Sequence, residues 1–279
     1  MPKGKLERLL MLTGSQELKE GYYIGEELPK THPYFLERKL NSGPNQWPST
    51  MADVDDFEAT TMAYYHQVKQ LQIDILKVLA LSLDLPETYF DAFASGAVAT
   101  MRLLHYPQQP ADSTAKLTRG IGAHTDFGAI TVLMQGEVAG LQVLEKKTGE
   151  WLDVIPKKGA FVVNLGNLMM RWSNDRYISN THRVINKSGK ERYSVPLFFS
   201  GNPDYVIDCL PNCRSVGEDA KYPPISVADA VGGSYKASYG AAEAWKQKQA
   251  AEAKAERLVG AEANLDVTPI MSSPAVSVQ

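Results

Sequence analysis

The sequence predicts a mainly β protein with flanking helices, built around an antiparallel sandwich or barrel. Three observations carry this expectation. Short β-rich runs crowd residues 97–210 and are separated by glycine-rich turn signals. One long helical pattern precedes them, and a helix-forming stretch follows. Closely and regularly spaced short strands favour a sandwich or barrel over alternating strand–helix units, which would need a helix between successive parallel strands.

The elements can be justified in order. Residues 20–50 are rich in Gly, Pro, Asn and Ser, with turns expected at Ser42-Gly43-Pro44 and Trp47-Pro48. They read as an irregular lead-in. A long helix is predicted next, because Phe57, Tyr64, Val68, Leu71, Ile75 and Val78 recur at three- and four-residue spacing, with Asp55, Asp56, Lys69, Gln70 and Lys77 mostly on other faces. Leu85-Pro86 ends it. The β-runs are AITVLM (129–134), LQVLE (141–145), WLDVI (151–155), FVVNL (161–165), HRVI (182–185) and YSVPLFFS (193–200). Gly136, Gly140, Thr148-Gly149, Lys158-Gly159 and Lys187-Ser188-Gly189 punctuate them. Residues 167–172 read as a short helix inside this run, and 227–231 as another. Residues 241–258, dominated by Ala, Glu, Lys and Gln, read as an exposed helix. Four segments follow: 1–96, lead-in and packing helix; 97–210, β core; 211–262, helical extension; and 263–279, disordered tail.

Composition narrows the function. The chain has 279 residues, of which 44% are hydrophobic and 22% charged, enough apolar material for a buried core. A net charge of −3 provides no global basic field for nucleic acid or anionic lipid. The run Leu9–Leu12 is too short for a signal-peptide core, and no run approaches a membrane span. Neither a nucleic-acid nor a membrane partner is expected. Cys209 and Cys213, in CLPNC, are one pair without a second, so free thiols in a reducing cytoplasm are expected rather than a zinc site.

The chemistry concentrates in GAHTDFGAITVL (122–133). His124 and Asp126 are two apart, just before or within a β-run, and alternate side chains on a strand share a face. An imidazole and a carboxylate suit Fe(II), Zn(II) or Mn(II), but two ligands do not make a site. Of the five histidines, only His182 lies on another predicted β-run. Two His and one carboxylate on one face leave open coordination positions, the facial arrangement of non-haem iron oxygenases. Arg192 and Ser194 share a strand face, and a guanidinium beside a hydroxyl suits a carboxylate; Tyr106 can add a phenolic hydrogen bond. Taken singly, an H-x-D, a lone His or an R-x-S is most often ordinary packing or surface. Their order on β-runs is what raises them. His105 is a candidate supporting group near the site, whereas His32 and His66 read as structural or exposed. Phe127, Phe198 and Phe199 are pocket candidates whose default reading is core packing.

With these residues in place, the chain resembles the iron- and 2-oxoglutarate-dependent dioxygenases of the isopenicillin N synthase-like family. HTDFGAITVL, GLQVLEKKTGEWLDVIP, GAFVVNLGNLMMRWSND, YISNTHRVIN and RYSVPLFF match the family pattern in order, within a resemblance spanning about residues 19–239. The resemblance implies a double-stranded β-helix, or jelly roll. It implies Fe(II) on His124, Asp126 and His182, and the distal carboxylate of 2-oxoglutarate on Arg192 and Ser194 with Tyr106 assisting. O2 is then the oxidant, ascorbate a supporting reductant, and the outcome hydroxylation, desaturation or ring closure of a small molecule by a cytoplasmic monomer. KEGYYIGEELP and KLNSGPNQWP are similar to fungal members tied to secondary metabolism or to the breakdown of nitrogen heterocycles such as nicotinate derivatives. Two departures stand out. Leu104 occupies a position where the family commonly has Asn, and a first strand and helix usual in the family are expected to be missing before this chain's start. Two other readings therefore remain: an iron-dependent oxidase of the family that does not use 2-oxoglutarate, and an inactive truncated remnant that acts only by binding.

Overall fold

The structure is a computed structural model, and it describes residues 18–108, 119–215 and 217–237. The chain divides into two compact units, Met1–Tyr235 and Lys236–Gln279; the expected exposed helix at 241–258 and the tail from 263 lie outside the described residues.

In the first unit the order begins with β1 (Glu20–Gly25), α1 (Pro33–Leu36), the long α2 (Val54–Ser82) and α3 (Asp91–Ala94). The strand-rich part follows: β2 (Val98–Tyr106), β3 (Arg119–His124), β4 (Ile130–Gln135), β5 (Leu141–Leu144), β6 (Trp151–Asp153), β7 (Phe161–Leu165), α4 (Asn167–Trp172), β8 (His182–Ile185) and β9 (Arg192–Gly201). A short pair, β10 (Val206–Ile207) and β11 (Ile225–Ser226), leads into a helix that starts at 227. A major sheet has the order β1-β2-β9-β4-β7, and a minor sheet the order β3-β8-β5-β6; every pairing is antiparallel. The architecture is the expected jelly roll.

Strand alternation sorts the side chains of the major sheet into two cores. On β2, Ala99 and Met101 join Leu197 and Phe199 of β9 in a cluster that includes Val68 and Leu76 of α2. On the opposite face, Leu104 and Tyr106 pack with Ile121, Leu141 and Val184 of the minor sheet. That second cluster is the barrel interior. Arg192 and Ser194 of β9, opposite Tyr106 and Leu104 in the register, lie on the same inner face.

Two expectations about the helix and lead-in need correcting. The buried stripe of α2 is Thr61, Tyr65, Val68, Gln72, Leu76 and Ala80, and Val78 is 63% exposed. Two polar residues sit on this stripe, so a search for apolar periodicity selects a neighbouring face. Gln72 belongs there because its Nε2 donates to the Leu197 carbonyl at 2.7 Å, satisfying the NH2 end of a buried amide. The helix ends as Asp84 takes φ +55° and the Leu85 N–H turns back to the Ala80 carbonyl at 3.0 Å. The lead-in is not wholly irregular either. Glu20–Gly25 is the edge strand of the major sheet, with Tyr22 to Ile24 paired to Leu103 to Met101. Its glycines mask a short aromatic and β-branched run of the kind that favours a strand.

Candidate metal centre

His124 closes β3, and His182 opens β8 directly opposite it. Asp126 was expected to share a strand face with His124. Instead it lies in the loop between β3 and β4, and that loop is tightly fixed. The Asn167 N–H at the start of α4 donates to the Asp126 carbonyl at 2.8 Å, and the Gly166 N–H donates to the Ala129 carbonyl at 2.9 Å. The approach leaves no room for side chains. A Cβ on Gly166 would come within 2.2 Å of the Gly128 carbonyl oxygen, and one on Gly128 within 2.6 Å of the Phe199 carbonyl oxygen.

The three functional atoms converge. Asp126 Oδ1 is 3.8 Å from His124 Nε2 and 3.6 Å from His182 Nε2, and the two imidazole centroids are 4.3 Å apart. The remaining atoms of each group are spoken for. Asp126 Oδ2 accepts from Thr131 Oγ1 at 2.6 Å and from Asn164 Nδ2 at 2.7 Å. His124 Nδ1 lies 2.8 Å from the Gly122 carbonyl, and His182 Nδ1 lies 3.1 Å from the Asn180 carbonyl. A carbonyl only accepts, so each Nδ1 carries its hydrogen and each Nε2 presents a lone pair inward. This is the outer support that orients ligands for a divalent metal. Among the described residues it is the one cluster of three His, Cys, Asp or Glu side chains placed to hold an ion.

Electrostatics agree with a ligand set. Burial and the neighbouring His182 push the His124 pKa down to about 4, which favours the neutral form a metal requires. Burial opposes ionisation of Asp126, but His182, His124 and the bonds from Thr131 and Asn164 outweigh it and hold the carboxyl below its ordinary value.

The second group also assembles on the inner face. Arg192 is fully buried, with one Nη donating to Gln135 Oε1 at 3.0 Å and the other to Ser194 Oγ at 3.3 Å. Its guanidinium lies over the Tyr106 ring, 4.8 Å from the centroid. No carboxylate among the described residues pairs with it, and its Nε has no hydrogen-bond partner there. Burial lowers the Arg192 pKa, since a charge removed from water is disfavoured. Burial also raises the Tyr106 pKa, partly countered by Arg192, Ser194 and Arg102.

Other expectations fall elsewhere. His105 is on the opposite face of β2 from Tyr106, stacked on Tyr193 and 2.9 Å from Glu20, so it supports no group of the centre. Phe199 is fully buried in the helix-side core, whereas Phe198 is half-buried on the inner face. Phe127, in the loop after Asp126, meets Tyr235 edge to face. Cys209 and Cys213 are free. No helix among the described residues is long and apolar enough to cross a membrane. Sequence reasoning missed Asn164 and Thr131. The signal was available, because both are polar residues inside otherwise apolar strand runs.

Two imidazoles and a carboxylate converging at the rim of a jelly roll define the class of non-haem metal oxygenases. Comparison with known proteins agrees. Residues 97–201 match the 2OG-Fe(II) oxygenase superfamily. The 2-oxoglutarate-Fe(II) type oxidoreductase hxnY of Emericella nidulans is 60% identical over 94% of this chain and 75% of its own length. A 2-oxoglutarate-Fe(II) type oxidoreductase of Aspergillus fumigatus is 50% identical over 76% of this chain and 63% of its own. The crystal structure of a full-length Neurospora crassa protein in complex with alpha-KG superposes with a TM-score of 0.70 at 30% identity, over 78% of this chain and 66% of that one. The chain thus spans between about three-fifths and three-quarters of the length of these relatives. It belongs to the 2OG-Fe(II) oxygenase superfamily, as an oxidoreductase of the 2-oxoglutarate-dependent dioxygenase type.

Proposed function

We propose that His124 Nε2, Asp126 Oδ1 and His182 Nε2 hold Fe(II), and that Arg192 and Ser194, assisted by Tyr106, bind the distal carboxylate of 2-oxoglutarate. The reaction is oxidation of a small organic molecule, here a nitrogen heterocycle. For hydroxylation the balance is substrate C–H, O2 and 2-oxoglutarate giving substrate C–OH, succinate and CO2. Bound Fe(II) supplies the centre at which O2 and the keto acid react.

The carrying observation is Arg192. A guanidinium buried without a carboxylate partner is costly, and a carboxylate arriving from solution relieves that cost. Thr131 and Gln135 mark the two ends. Thr131 supports Asp126, and Gln135 supports Arg192 four residues along β4, about 13 Å at the usual strand rise. Arg192 is long enough to reach back over part of that distance, which leaves a span suited to a short dicarboxylate. The Arg192 and Ser194 donors fix one end of the keto acid, while the tightly packed interior of Leu104, Ile121, Leu141 and Val184 excludes bulk water. Support for a heterocycle comes from the relatives. The same Neurospora crassa protein has been crystallised with alpha-KG and thymine, a nitrogen heterocycle, and that structure is 28% identical to this chain with a TM-score of 0.70.

The test is anaerobic addition of Fe(II) and 2-oxoglutarate, with ascorbate to keep the iron reduced, followed by O2. A visible charge-transfer band on mixing, and succinate after O2, are expected. A folded protein giving neither would overturn the reading.

A further inference from the structure

Gln135 is the last residue of β4, half-buried, and by strand parity it shares the inner face with Thr131 and Leu133. Ser194 of β9 is its register partner. Its amide joins two groups on different sheets. Oε1 accepts from Arg192 Nη2 at 3.0 Å, and Nε2 donates to the Val154 carbonyl at 3.4 Å, one residue past β6 of the minor sheet. A guanidinium only donates and a carbonyl only accepts, so these two contacts fix which way the amide faces. Val154 is itself anchored, because its N–H donates to the Leu141 carbonyl at 2.9 Å. The Arg192 guanidinium is thus tied across the barrel through one neutral side chain. Its other neighbours are neutral too. Nη1 donates to the Ser194 hydroxyl at 3.3 Å, and the Tyr106 ring lies 4.8 Å away. A glutamate at 135 would have the same length and the same reach, and would offer Arg192 a charge-assisted pair within the protein. Glutamine holds the guanidinium without neutralising it.

We infer that Gln135 is a positioning residue that also determines co-substrate specificity: it orients Arg192 and, by being uncharged, makes the site select a 2-oxo acid that carries a second carboxylate. The positive charge then has no counter-charge until the co-substrate brings one, so the distal carboxylate is the group that completes the pair. With glutamate at 135 the pair is complete in the empty site. A dicarboxylate would have to displace that internal partner, and its own charge would meet the glutamate. A 2-oxo acid ending in a methyl group makes no use of the Arg192 charge and is indifferent to the change. This inference rests on the clamp of the proposed function and deepens it.

The experiment titrates the full chain, loaded anaerobically with Fe(II), with two probes and reads each Kd from the charge-transfer band. The probes are 2-oxoglutarate and 2-oxopentanoate, which has the same carbon chain with a methyl group in place of the distal carboxylate. Wild type is expected to bind 2-oxoglutarate about a hundredfold more tightly. Gln135→Glu should weaken 2-oxoglutarate by about a hundredfold and leave 2-oxopentanoate unchanged, with the ligand-free Tm held or raised. Gln135→Met removes the anchor and adds no charge, so it should weaken 2-oxoglutarate by only about tenfold. A residue that merely tied the two sheets together would shift both acids alike, and that outcome overturns the inference. So does unchanged 2-oxoglutarate affinity in folded Gln135→Glu, or a loss no larger than that of Gln135→Met. If Gln135→Glu does not fold, Gln135→Met carries the test, and an equal loss for the two acids counts against the inference. Equal binding of the two acids by wild type, or no band with either, overturns the proposed function instead, so the two failures are distinguishable.

Discussion

Replacing Arg192 by methionine, a side chain of similar length without charge, separates two effects of one residue. In the ligand-free protein the loss of the bonds to Gln135 and Ser194 costs about 1 kcal/mol each. Against this, the substitution removes a buried charge that has no carboxylate partner among the described residues, and the penalty for such a charge is several kcal/mol. Ligand-free stability should therefore hold or rise. Binding of 2-oxoglutarate should suffer, because truncating one side of a buried charge pair costs about 3 kcal/mol, or roughly a hundredfold in Kd. The assay is thermal unfolding with and without the keto acid. At a concentration 100 times the wild-type Kd, ligand stabilises wild type by about 2.7 kcal/mol; a variant bound a hundredfold more weakly gains only about 0.4 kcal/mol. Each kcal/mol is worth about 2–4 °C in Tm for a domain of this size. An equal ligand-induced shift in both proteins would refute the clamp. A fall of about 10 °C or more in the ligand-free variant would refute the claim that the charge is held at a cost.

Three further outcomes concern the centre. Asn164→Leu leaves Asp126 Oδ2 with Thr131 alone, so Fe(II) affinity should fall by about 10- to 100-fold with far-ultraviolet circular dichroism unchanged; affinity equal to wild type in an anaerobic titration would contradict the orienting role. Gly166→Ala forces a Cβ onto the Gly128 carbonyl, and stability should fall by about 2 kcal/mol or more together with iron binding; a variant that loses neither shows that the loop can shift. The metal-free protein should lose stability on acidification. The His124 contribution is complete above its ordinary pKa of 6.5 and disappears as pH falls toward about 4, and that of Asp126 follows below 3.8. Urea unfolding across this range should show a slope that flattens in His124→Gln, and an unaltered slope would assign the effect elsewhere.

Much of this organisation is legible in the sequence because short β-rich runs alternate with turn signals, many of them glycines. FVVNL and HRVI coincide with β7 and β8, and residues 167–172 are α4, as expected. The triad is legible because histidine is rare in this chain, which leaves few candidates for a third ligand. What escapes the sequence has physical causes. The inner stripe of α2 includes Gln72, whose burial depends on two carbonyls of distant strands. His105 and Tyr106 are adjacent, yet a strand sends them to opposite faces, so nearness in sequence misleads about His105. Asp126 reaches the histidines by a loop whose path is set by the close approach of Gly128 and Gly166, residues far apart in the chain that spacing alone cannot bring together.

If His124, Asp126 and His182 hold the iron at which 2-oxoglutarate is oxidatively decarboxylated, turnover under 18O2 with mass analysis of succinate is the most direct measurement, made on wild type and on His182→Ala. Wild type is expected to give succinate carrying one labelled oxygen, and the variant to hold no iron and give no succinate. Unlabelled succinate from wild type, or labelled succinate from His182→Ala at the wild-type rate, would contradict that role for the three residues.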